Sequence, residues 1–151
     1  MIRATGLLWM ATVAAVAAGG ELRAHAADWK LQAYLLWGTD DTKPPAGKNY
    51  KTVDLEVHQK LKDLPLKWTN WFEVNRVAFA LPQGGAKEVP ISEKCQVNMK
   101  RLGHSETEVS LIGKGKEVVK RTQALPKGEM LVLGGNAPNA TAWLVVLKRF
   151  E

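Results

Sequence analysis

The chain has 151 residues, a formal net charge of +6, 46% hydrophobic and 24% charged residues, and a single cysteine. That balance excludes a disordered chain, and one cysteine, Cys95, excludes an internal disulfide framework, so the fold must rest on packing. Without clustered Cys and His there is no ligand set for a structural zinc ion.

Residues 1–26 read as an export address. Arg3 precedes an apolar run from Gly6 to Ala18, and Ala24-His25-Ala26 supplies the small-x-small pattern of a signal-peptidase site. The run is too short for a bilayer span of about 20 residues. Cleavage is therefore expected between Ala26 and Ala27. Taking 26 residues from 151 leaves 125, and losing Arg3, Arg23 and Glu21 lowers the net charge from +6 to +5. Residues 27–151 then form one strand-rich domain, exported to the periplasm or medium, with no transmembrane segment of its own.

From Trp29 to Trp37 apolar residues alternate with Lys30 and Gln32, the period of a strand. Gly38 to Lys51 is a loop containing Pro44-Pro45. Thr52 to Leu64 predicts the one helix. Val53, Val57, Leu61 and Leu64 form a stripe, Thr52 is placed to cap, Glu56 precedes Lys60 by four residues, and Pro65 ends the run. A helix with one apolar stripe should lie on a sheet. Trp71 to Leu81 is a strand whose alternation slips near Asn75-Arg76, predicting a bulge.

Short strands follow, separated by turns at Pro82–Gly85, Gly103–Ser105, Gly113–Lys116, Pro126–Gly128 and Gly134–Asn139. Cys95, Val97 and Met99 alternate inward. The loop length sets Met99 opposite Val109, Val97 opposite Leu111 and Lys100 opposite Glu108. Ala142 to Leu147 has no polar residue on either face and predicts a central, doubly covered strand. The expected fold is mainly β (α+β): an antiparallel sheet or sandwich of about seven or eight strands with one packed amphipathic helix.

No catalytic constellation emerges. Gly113-Lys114-Gly115-Lys116 lacks the G-x-x-x-x-G-K-[ST] spacing of a phosphate loop, so no nucleotide is expected. His58 and His104 have no G-x-S-x-G partner, and an inward Cys95 is a poor nucleophile. Asp40-Asp41 lacks the alternating acids of a calcium loop. No cofactor or metal is expected.

Five tryptophans follow the leader: Trp29, Trp37, Trp68, Trp71 and Trp143. They either fill a core without disulfides or stack on a ligand. Trp71 and Trp143 suit the core, and Trp68, between Lys67 and Thr69, suits the surface. The candidate ligand or partner contacts are Trp68, Lys114 and Lys116, the lysines belonging to a basic stretch that continues to Lys120 and Arg121.

The chain resembles small exported bacterial proteins of unassigned function. The resemblance rests on Leu61-Lys62-Asp63-Leu64, on Lys67-Trp68 with Trp71-Phe72-Glu73-Val74, and on Leu125-Pro126-x-Gly128 with Leu131-Val132-Leu133-Gly134-Gly135. These are turn and core positions, so the resemblance implies a fold and no activity. The expected function is a non-catalytic binding or assembly protein of the bacterial envelope. Its partner would be an envelope protein or an anionic or glycan polymer. The alternatives are a carbohydrate-binding module using exposed Trp, and a small enzyme or enzyme inhibitor.

Overall fold

The computed structural model describes residues 28–103, 105–137 and 141–151. The expected leader, its cleavage site and His104 lie outside the described residues. The elements run β1 (Trp29–Thr39), β2 (Lys51–Thr52), α1 (Leu55–Lys62), β3 (Asn70–Leu81), β4 (Ala86–Ser92), β5 (Cys95–Arg101), β6 (Glu106–Gly113), β7 (Lys116–Ala124), β8 (Met130–Ala137) and β9 (Thr141–Arg149). They form two antiparallel sheets. One has the order β2-β3-β1-β9-β8, the other β4-β5-β6-β7.

The sheets pack face to face. Leu31, Ala33, Val145 and Leu147 of the first sheet meet Val97, Met99, Val109 and Leu111 of the second in the main core cluster. The opposite face of the first sheet carries Tyr34, Leu36, Leu144 and Val146, which meet Val57 and Leu61 of α1. The molecule therefore has three layers, with β1 and β9 in the middle and covered on both sides. Two-sided burial explains why Ala142 to Leu147 is apolar throughout.

The β5–β6 register places Met99 opposite Val109, Val97 opposite Leu111 and Lys100 opposite Glu108, as the loop length predicts. The carboxylate of Glu108 pairs with Lys120 of β7 at 3.2 Å. The bulge in β3 falls on Val74, because Leu35 pairs with Asn75 and Leu36 with Glu73. Three local expectations change. The helix is shorter than Thr52 to Leu64: Thr52 pairs with Phe72 in β2, and the N-cap residue is Asp54. Asp54 makes no capping hydrogen bond, because its Oδ1 accepts one from Arg76 Nη2 at 2.8 Å. Glu56 forms its ion pair with Lys148 of β9 rather than with Lys60, so the charge that was expected to brace the helix instead fastens it to the sheet. The Gly134-Gly135-Asn136 segment is not a turn. It continues β8, with Gly134 opposite Leu144. A Cβ on Gly134 would fall 2.1 Å from Leu144 Cδ2, so the glycine leaves room for that leucine.

Arg76 joins sheet and helix. Its guanidinium contacts Glu73 Oε1 at 2.7 Å and Asp54 Oδ1 at 2.8 Å, and lies 4.7 Å from the Tyr34 ring centre. Glu73 is buried, so its charge needs that partner. Above this network Gly38 faces Trp71, and a Cβ on Gly38 would come 2.4 Å from the indole. Gly38→Ala should therefore destabilise the fold by about 1–3 kcal/mol through overpacking. At Gly103 an added Cβ meets nothing within 4 Å. Gly103→Ala should be neutral or stabilise by up to about 1 kcal/mol. Urea unfolding of both variants checks this, and equal midpoints would contradict the packing of Trp71 on Gly38.

Candidate functional site

The two ends of the sandwich differ. At the end where β1 begins, the guanidinium groups of Arg149 and Arg101 both pack on the Trp29 ring, 3.8 Å and 4.4 Å from its centre. Arg149 Nη1 donates to the Leu125 carbonyl at 2.9 Å. Burial, and then the charge of Arg101, pull Arg149 below its ordinary range. That end is shut by aromatic and cationic groups packed on each other.

The other end is open. Three strands lose register there. Val74 is the extra residue of β3, Ile91 that of β4 and Val118 that of β7. Asn75 Nδ2 donates to the Ile91 carbonyl at 2.5 Å, tying two of these irregularities together. Bulges bend strands and re-aim side chains. At this end lies a cleft of about 430 Å³, a size usual for small-molecule sites, lined in part by the bulge residues Val74 and Val118.

Its floor is aromatic. Phe72, Trp37 and Trp143 are direct cross-strand partners on β3, β1 and β9, so they share one face of the first sheet. The ring centres of Trp37 and Phe72 lie 6.3 Å apart, and those of Trp37 and Tyr50 6.2 Å. Trp37, Tyr50 and Trp143 are half-buried. Trp143, expected in the core, packs one side against the main cluster while also lining the cleft. Trp29 and Trp71 are the fully buried tryptophans among those described. Val74 and Val118, both bulge residues, complete the apolar lining.

The rim is basic. Lys94 and Lys114 line the cleft, and the Lys114 N–H donates to the Lys94 carbonyl at 2.9 Å, holding the two residues side by side. Among the described residues no carboxylate lines the cleft, and neither ammonium lies within ion-pair distance of one. Lys114 is also the one non-glycine residue with a positive φ among those described, at 51°, followed by Gly115 at 77°. The pair forms a two-residue hairpin turn with left-handed backbone at both positions, where Asn-Gly is the preferred sequence. A lysine there costs about 1–3 kcal/mol of backbone strain.

Cys95 also lines the cleft. It is 8% exposed, and burial pushes its thiol up from the ordinary range. Ser92 lies nearby, but its Oγ accepts the Lys94 backbone N–H at 3.3 Å, and among the described residues no histidine lines the cleft. Nothing here orders a base on a nucleophile. The geometry suits binding through apolar contact and charge.

The three residues singled out from the sequence are not brought together. Lys114 sits on the rim, and Lys116 is exposed at the start of β7, opposite Gly113. Trp68 lies on the other face of the first sheet, half-buried against the second core cluster and edge-on to Trp71 at 6.2 Å. There it helps to cover β8, beside Met130 and Val132. The Asp40-Asp41 loop is braced from within, since Asn70 Nδ2 donates to the Asp41 carbonyl at 2.9 Å. Sequence reasoning missed Trp37, Tyr50 and Lys94. The available signal was the bulge in β3, which marks where the regular sandwich stops.

Among the described residues no cluster of three or more His, Cys, Asp or Glu is placed to hold a metal ion, and no helix is long and apolar enough to cross a membrane. No protein-family model, curated protein or solved structure matches the chain.

The position of Cys95 generates a direct check. A disulfide reagent added to the native protein should react slowly, because the thiol is buried and its thiolate scarce at neutral pH. Denaturant should make the reaction fast. Fast native labelling would mean that β5 presents Cys95 to solvent.

Proposed function

We propose that this protein is an exported, non-catalytic binding protein of the bacterial envelope, and that the cleft between its sheets is the binding surface. The observation that carries the reading is that Trp37 and Trp143, both half-buried, line a cleft beside the bulge residues Val74 and Val118. Half-buried indoles that face a cleft give a ligand large contact area at low entropic cost. The export half of the reading is supported by Arg3, the apolar run and Ala24-His25-Ala26.

The same geometry favours an apolar ligand over a sugar. A sugar ring stacks best on exposed, coplanar aromatic faces. Trp37 is half-buried and tilted 57° from Tyr50 and 31° from Phe72. The enzyme reading has no ordered nucleophile and base in the cleft to support it.

An uncharged apolar dye, N-phenyl-1-naphthylamine, tests the binding reading without regard to ligand charge. Its fluorescence should rise on adding protein, and Trp143→Ala should weaken binding about tenfold or more. Because Trp143 is half-buried, the variant should still unfold cooperatively, with a loss below the roughly 3–5 kcal/mol typical of fully buried tryptophans. Intact mass of protein recovered from the periplasm should begin at Ala27. No dye binding by the folded protein would overturn the cleft, and a cell-associated form retaining Met1 would overturn export.

A further inference from the structure

The rim lysines and the aromatic floor belong to one cleft, and their pairing specifies a ligand. This step rests on the reading of the cleft as a binding surface. We infer that the cleft binds single molecules of an anionic amphiphile, with the apolar chain against Trp37, Val74 and Trp143 and the acidic head between Lys94 and Lys114.

Three observations converge on it. The lining is largely apolar and, among the described residues, holds no carboxylate. Its two charged residues are both lysines, and a backbone hydrogen bond keeps them adjacent. One of them, Lys114, occupies a left-handed turn position at φ 51°, where the fold alone would favour asparagine or glycine. A residue that strains its own turn and stands at the mouth of an apolar cleft is explained by what it contacts there. The neighbouring acids Glu93 and Glu117 are exposed and do not line the cleft. An ammonium beside apolar walls attracts an anion more strongly than one surrounded by water.

The turn geometry also supplies the discriminating variant. Lys114→Asn creates the preferred Asn-Gly turn, so the melting temperature should hold or rise while binding falls. A lysine that served only the fold would move both quantities in the same direction.

The probe is dodecanoate below its micelle concentration, titrated into the intact protein. The readouts are tryptophan fluorescence, with Trp143→Phe identifying the responding ring, and protection of Cys95 from a thiol reagent. Dodecyltrimethylammonium and dodecyl maltoside supply the same chain with a cationic and a neutral head. Dodecanoate should bind tightest. Lys94→Gln combined with Lys114→Asn should weaken it about tenfold, since each exposed charge pair contributes up to about fivefold. Added salt should weaken binding in the same direction. Lys127→Gln changes the net charge by the same step as either single substitution and lies in the turn leading to β8, away from the cleft, so it should leave the affinity unchanged.

Equal binding of all three chains, unaffected by the lysine variants, would overturn the anionic head while leaving the cleft as an apolar site. Dodecanoate binding that is indifferent to Trp143→Ala would place the ligand elsewhere and overturn the inference. Association with phosphatidylglycerol vesicles without any binding of the monomer would assign the lysines to a membrane surface and overturn it also. Silence of every amphiphile and of the neutral dye would remove the binding reading itself.

Discussion

The structure depends on the two-sided burial of β1 and β9. Ala33, Leu36, Val145, Val146 and Leu147 are fully enclosed, with successive residues facing opposite layers. Each fully buried aliphatic side chain contributes about 1.5–3 kcal/mol. A small domain without a disulfide has few other sources of stability. The second sheet covers one face and the helix covers the other. Neither cover is regular at its edges, and the first sheet does not need them to be, because its central pair is held from above and below.

That freedom is spent at one end. Where β1 begins, Trp29 and two arginines seal the gap between the sheets. Where it ends, Val74, Ile91 and Val118 each interrupt a ladder, and two members of the Phe72–Trp37–Trp143 row, Trp37 and Trp143, line the cleft. A rigid central pair makes this possible. It fixes the backbone beneath the aromatic floor, so a cleft of stable shape can sit at the edge of a small core. The lysines come from the tight turns of the covering sheet, which places charge at the mouth and none at the floor.

Much of the fold was legible in the sequence because it obeys short-range periodicity. Cys95, Val97 and Met99 alternate into the core, the register of β5 on β6 follows from loop length, and Val57 and Leu61 of the expected stripe are the buried residues of the helix, with Val53 buried just before it. The misread segments are those where a distant contact overrides a local preference. Thr52 pairs with Phe72 in a short strand instead of capping, and Asp54 turns its carboxylate to Arg76. Gly134 looks like a turn residue, but stands in a strand because Leu144 needs the space a side chain would take. The candidate site was only partly legible. Lys114 was singled out, and the legible register of β5 on β6 already sets Lys94 beside it, whereas Trp37 and Trp143 meet through the register of β1 on β9 and reach the lysines only through the packing of the two sheets. Trp68 looked like a surface ring from its polar neighbours, but tertiary packing against Trp71 gives it a covering role.

Residue-resolved amide hydrogen exchange is the most direct test of this account. The amides of Ala33 to Leu36 and Leu144 to Leu147 should be the slowest in the protein, exchanging only through global unfolding, with those of β4 and β7 released earlier by local opening. If β5 and β6 instead outlast β1 and β9, the second sheet is the stable unit. The doubly covered pair would then not be the element on which the cleft is built.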